Sequence, residues 1–149
     1  LMDLIIPDTD IPGAIELKLP EFLDGYIDVI LNEKAQKKIT DGLDQFIAVS
    51  LKDTGKSSAS RLERSDLDAQ LAKYLKPDQQ QQQQNSAKDD EAYQSAADFA
   101  KQLRSMTINA FKTNEYIGEN VMAYAPIPGE QKGCVDLMET TGGKAWSSL

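Results

Sequence analysis

Residues 92–111 read AYQSAADFAKQLRSMTINAF, and in them Ala92, Ala96, Phe99, Ala100, Leu103, Thr107, Ala110 and Phe111 recur at three- and four-residue spacing. That spacing places the eight side chains on one face of an α-helix. Four are alanines and one is a threonine, so a second helix can approach this face closely. The segment is expected to be the central helix of an all-α fold, with the rest of the chain arranged around it.

Upstream, three further stripes follow the same rule. After turn signals at Pro7, Pro12 and Gly13, Pro20 occupies a position favoured at the start of a helix, and Phe22, Leu23, Tyr26, Ile27 and Ile30 follow as one amphipathic face. Ile39, Leu43, Phe46, Ile47 and Leu51 form the next, ending near Asp53-Thr54-Gly55, with Gly42 as an unfavourable residue inside it. The polar stretch from Gly55 to Arg64 leads to Ser65-Asp66-Leu67-Asp68, which resembles a cap ahead of Leu67, Leu71, Tyr74 and Leu75, and Pro77 closes that helix. Residues 79–90, with six consecutive glutamines from Gln79 to Gln84, have no apolar face and read as a solvated low-complexity loop. The expectation is a single domain over residues 1–149 with four to five helices, a size at which a real core can form.

Downstream, Tyr116 and Ile117 precede Gly118, a short helical piece carries Val121 and Met122, and residues 124–149 form an irregular tail. Pro126 and Pro128 rule out a helix there by removing backbone donors. The tail still holds Tyr124, Ile127, Cys134, Val135, Leu137, Met138 and Trp146, enough apolar surface to require a packing partner. Two uses fit. The tail can fold back over the helices with Trp146 in a groove, or part of it can dock on another protein, since aromatic residues dominate interface energetics and a Pro-stiffened segment loses less entropy on binding. The residues assigned to partner contact are Tyr124, Pro128, Gly129, Cys134 and Trp146.

Composition narrows the chemistry. The chain has no histidine and one cysteine, so Ser-His-Asp and Cys-His nucleophile systems, c-type haem attachment, iron–sulfur clusters and structural zinc sites cannot be built from it. Asp8 and Asp10, in Pro-Asp-Thr-Asp-Ile-Pro, lack the glycine and distal glutamate of a calcium loop and suit turn capping, with Asp10 as a cap or turn acceptor. No catalytic, cofactor-binding or metal-binding residue is assigned. With 24 acidic against 16 basic residues the net charge is −8, which disfavours nucleic acid and anionic membranes and favours a protein partner. No apolar run is long enough to span a bilayer. The chain begins at Leu1 without an initiator methionine, which fits removal of a signal peptide or a trimmed chain equally. For Cys134 a small buried residue and an intermolecular disulfide remain open.

The N-terminal stretch Ile5-Ile6-Pro7-Asp8-Thr9-Asp10-Ile11-Pro12-Gly13-Ala14, followed by Leu19-Pro20-Glu21-Phe22-Leu23-Asp24, resembles the opening of the gluconate 2-dehydrogenase subunit 3 family. Thr113-Asn114-Glu115-Tyr116, Tyr124, the Pro128-Gly129 pair and Cys134 then follow in that family's order, while the middle of the chain agrees in helical character only. Glu115 stands where a glycine is common in the family, and the glutamine run is peculiar to this sequence. The resemblance implies a non-catalytic small subunit, itself without cofactor, of a periplasmic sugar-acid dehydrogenase. The large subunit would carry FAD and a third, cytochrome c subunit would carry haem c. It further implies twin-arginine export, with the small subunit stabilising and escorting the folded flavoprotein. The alternative is a free-standing helical periplasmic binding or structural protein without a dehydrogenase partner. An independent carboxylate-based enzyme is the third reading, and no acidic pair is singled out for it.

Overall fold

The computed structural model describes residues 1–76, 91–125 and 134–147. The low-complexity loop at 79–90, Pro77 and the assigned contact residues Pro128 and Gly129 lie outside them. The elements are α1 (Met2–Ile5), α2 (Leu19–Ile30), α3 (Glu33–Thr54), a 3₁₀ turn (Ala59–Arg61), α4 (Arg64–Leu75), α5 (Glu91–Lys112), a π-turn (Ile117–Val121) and α6 (Leu137–Thr141). No strand occurs among the described residues, and the fold is all-α with four helices longer than two turns.

Helix α5 is the hub. It packs along α3, and α1, α2 and α4 each lean on it as well. Two groups of buried side chains meet on it. In the first, Phe46 of α3 is fully buried between Tyr74 of α4 and Phe99 of α5, with ring centroids 6.4 and 5.8 Å away and tilted geometry. Tilted pairs of this kind avoid stacking like-signed ring faces. In the second, Met2, Ala14, Leu19 and Leu23 close on Ala110. The small residues expected to permit close approach do so: Ala96 and Ala100 are fully buried.

Gly42 explains itself in this packing. A Cβ there would sit 2.9 Å from the Cβ of Phe99, so α3 and α5 approach at the glycine more closely than a side chain would allow. The buried face of α3 is centred on Gly42, Phe46, Val49 and Ser50, with Ile39 and Leu43 packed at its border. Val49 and Ser50 stand outside the expected stripe. Ser50 is tolerated in the core because its hydroxyl donates to the Phe46 carbonyl at 2.6 Å, and Thr107 of α5 does the same to Leu103 at 2.8 Å.

Helix ends follow capping rules, with some departures from the sequence reading. The Asn32 side chain accepts the Ala35 amide at 3.0 Å to start α3, and Gly55 ends it in the left-handed region. Helix α4 begins two residues earlier than the Ser65 cap suggested. Glu63 is its N-cap, and the Asp66 carboxylate reaches back to the Glu63 amide at 2.7 Å while also taking the Lys56 ammonium. One acid thus both closes the helix start and holds the preceding loop. At the far end, Asp53 ties three helices by accepting from Lys73 of α4 at 2.8 Å and Tyr93 of α5 at 2.7 Å. Partial burial alone would raise the Asp53 pKa, but these hydrogen bonds and the Lys73 charge outweigh it and hold the carboxyl below its ordinary value.

Candidate functional site

The N-terminal motif is a structural device that seats α2. The Asp8 carboxylate accepts the Gly13 amide at 2.7 Å, and Ala14, fully buried, donates its amide to the Ile6 carbonyl at 2.9 Å. A Cβ on Gly13 would lie 2.5 Å from the backbone of both Pro7 and Asp8, so only glycine lets the loop close on itself. Asp8 therefore fills the turn-acceptor role expected of Asp10. From this loop the chain enters α2 through Lys18, the one non-glycine residue with positive φ among those described.

Helix α2 is then fixed at both ends. Leu19 and Leu23 bury against α5, and at the C-terminus the Gln36 side-chain amide lies 2.9–3.1 Å from the carbonyls of Ile27, Asp28 and Leu31. Those carbonyls have no intrahelical donor, and Gln36 supplies one from the next helix. The clamp from α3 and the buried leucines against α5 hold α2 in a set orientation.

That orientation corrects the sequence reading. Of the five stripe residues expected to face the core, only Leu23 is buried; Phe22 is 54 % exposed and Ile30 64 %, Tyr26 is exposed too, and Val29 between them is 76 % exposed. The reason is geometric. Seven apolar residues of α2, from Leu19 to Ile30, span an arc of about 160° at about 100° per residue. The helices beside α2 cover a narrower stripe. The surplus width was the available signal. Phe22, Tyr26 and Val29, at i, i+4 and i+7, share one exposed flank. On the other flank, Leu23 and Ile27 border a groove of about 200 Å³ closed by Met2, Leu43, Leu103 and Met106 of the neighbouring helices.

The tail supplies a second uncovered region. Backbone bonds from Ala123 N to Ala145 O and from Ser147 N to Ala123 O, both 2.8 Å, join Ala123 to Trp146 as an isolated parallel bridge. The bridge brings Tyr124 and Trp146, far apart in sequence, into one neighbourhood. Trp146 remains 50 % exposed and so does not fill a groove of the core. Cys134 is exposed as well, which removes the buried reading of that thiol. The tail is not irregular throughout: Asp136 caps α6 by accepting the Glu139 amide at 3.0 Å, and α6 displays Leu137 and Met138 to solvent. Ile117 is buried and anchors the π-turn from which the tail departs.

Among the described residues no group of three or more Asp, Glu or Cys side chains is arranged to hold a metal ion, and no helix is long and apolar enough to cross a membrane. What the surface offers is exposed apolar side chains on α2 and on the bridged tail. Residues 1–129 match the gluconate 2-dehydrogenase subunit 3 family, and the chain belongs to that family. It is thereby a member of a family of dehydrogenase-complex subunits. The matched region contains the Gly13 loop, all of α2 and Tyr124, and ends before Cys134 and Trp146. Neither the curated proteins nor the solved structures contain a match to this chain.

Proposed function

We propose that this chain is the non-catalytic small subunit of a periplasmic gluconate or related sugar-acid dehydrogenase. It binds and stabilises an FAD-bearing large subunit, helps its export, and leaves electron transfer to that subunit and a c-type cytochrome. The observation that carries the reading is membership of a subunit family in a chain that has no histidine and leaves two apolar regions uncovered. Side chains such as Trp146, Met138 and Val29 are costly to leave in water at about 25 cal/mol per Å² of apolar surface, and a bound partner relieves that cost.

Tyr124 and Trp146 are the proposed anchors in the tail. Cys134, exposed beside them in sequence, is proposed to form a disulfide with a cysteine of the large subunit, the compartment's oxidising machinery removing two electrons and two protons as the S–S bond forms. Co-expression with the flavoprotein tests the main claim. The expected result is a co-purifying complex and loss of soluble, active flavoprotein when this chain is withheld; a flavoprotein that folds, is exported and turns over equally well alone overturns it. For the disulfide, a complex band on non-reducing electrophoresis should collapse on reduction and be absent in Cys134→Ser. A band indifferent to both refutes the bond.

A further inference from the structure

The groove beside α2 joins an apolar interior to a negatively charged rim. Nine of its eleven lining residues are apolar; the other two are Asp24 of α2 and Gln102 of α5. At about 100° per residue, Leu23 and Ile27 lie about 100° and 60° to one side of Asp24, while Asp28 and Glu21 lie about 40° and 60° to the other. Asp24 is therefore the edge where the apolar wall passes into a row of three exposed carboxylates, spread over about two turns of helix. None of the three takes part in an ion pair among the described residues. On the α5 side, a neighbouring cleft shares Phe99 and Gln102 with the groove and adds Glu91 and Asp98, with Lys38 the one cation in its lining.

We infer that this groove is a docking pocket for one large apolar side chain of a partner protein, carried on a segment that sets lysine or arginine beside it. On the assembly reading above, on which this inference rests, the flavin-bearing subunit supplies that segment. Volume selects the size of the occupant. The groove holds about 200 Å³. An apolar cavity of about 150 Å³ takes up benzene, so one ring or one branched side chain fits, whereas sites for whole small ligands run to about 300–1,000 Å³. Charge selects what surrounds it. A lysine or arginine about one helical turn from the inserted side chain would reach Asp24, and further cations would meet Glu21 and Asp28 along the rim. Anionic lipid and nucleic acid are repelled by the same carboxylates. A second copy of this chain brings its own net charge of −8 and is disfavoured likewise. In the resulting complex the inserted side chain slows dissociation, and the acidic rim steers association and fixes its orientation.

The test measures binding of this chain to the purified flavin-bearing subunit at low and high salt. It uses the unaltered chain, Ile27→Trp and Asp24→Lys. Ile27→Trp fills the groove from its own wall, so its thermal melt should match or exceed the parent's. Asp24 is exposed, and its replacement should leave the melt unchanged. The parent is expected to bind more weakly as salt rises. The tryptophan variant should lose about tenfold or more in affinity with the salt dependence kept, and the lysine variant should associate more slowly and lose much of that dependence. Should the tryptophan variant melt early, Asp24→Lys decides alone. If the parent binds and both variants bind as it does, the pocket inference is overturned while the assembly reading stands. A lysine variant that keeps the parent's rate and salt dependence overturns the basic occupant. If the parent itself fails to bind, both readings fall. A dimer of the free chain that Ile27→Trp abolishes assigns the groove to a second copy and overturns the inference.

Discussion

Replacing Gly42 by alanine sets two effects of known sign against each other. In a helix interior alanine is favoured over glycine by about 0.5–1 kcal/mol, because glycine loses more backbone entropy on folding. Against this, the added methyl would lie 2.9 Å from Phe99 Cβ and 3.4 Å from Phe99 Cδ2. The nearest atom is the one attached to the α5 backbone, so turning the ring cannot relieve the overlap; α3 and α5 must move apart, loosening the Phe46–Phe99 packing. Overfilling a close-packed core costs about 1–3 kcal/mol. The net expectation is a loss of about 1 kcal/mol, a fall in Tm of about 2–4 °C for a chain of this length. Gly25→Ala is the internal control. It too lies mid-helix, but no atom lies within 4 Å of its would-be Cβ, so only the propensity term remains and Tm should rise by a similar amount. Both variants are read by urea titration and thermal melting of the isolated chain. A Gly42→Ala protein as stable as Gly25→Ala would refute the claim that the glycine sets the distance between the helices.

Three further outcomes follow from the same geometry. Gly13→Ala places a methyl 2.5 Å from two backbone atoms that cannot rotate away, and should cost about 3 kcal/mol, at the upper end of overpacking effects, in urea unfolding. Gln36→Ala leaves the last carbonyls of α2 without their donor, and should cost about 1–2 kcal/mol and speed amide hydrogen exchange in α2 relative to α5. Because the Asp53 pKa is lowered in the folded state, its contribution is present above the unfolded value of about 4 and is lost as pH falls through the folded value. Asp53→Asn should therefore lower stability at neutral pH by about 1 kcal/mol or less and flatten the acid limb of a Tm-versus-pH curve below about pH 4.

Several of these features were legible in advance. The spacing from Ala92 to Phe111 identified the central helix, and its small residues announced close packing. Other features were not legible. Ser50 looks like a surface residue in sequence and is buried because its hydroxyl finds a carbonyl one turn back. Trp146 looks like core and stays half exposed because the tail is held by two backbone bonds to Ala123 rather than by its ring.

The sequence by itself determined the all-α class, the identity of the central helix and the family, since periodicity and motif are properties of the chain alone. Only the tertiary structure decided which apolar residues are core and which are surface. Hydrophobic spacing states that a face must be covered, and the number and placement of neighbouring helices decides whether the chain covers it. For α3 and α5 the neighbours are there. Helix α2 leans mainly on α5, its apolar arc is wider than its neighbours cover, and Phe22, Tyr26 and Val29 are left facing outward.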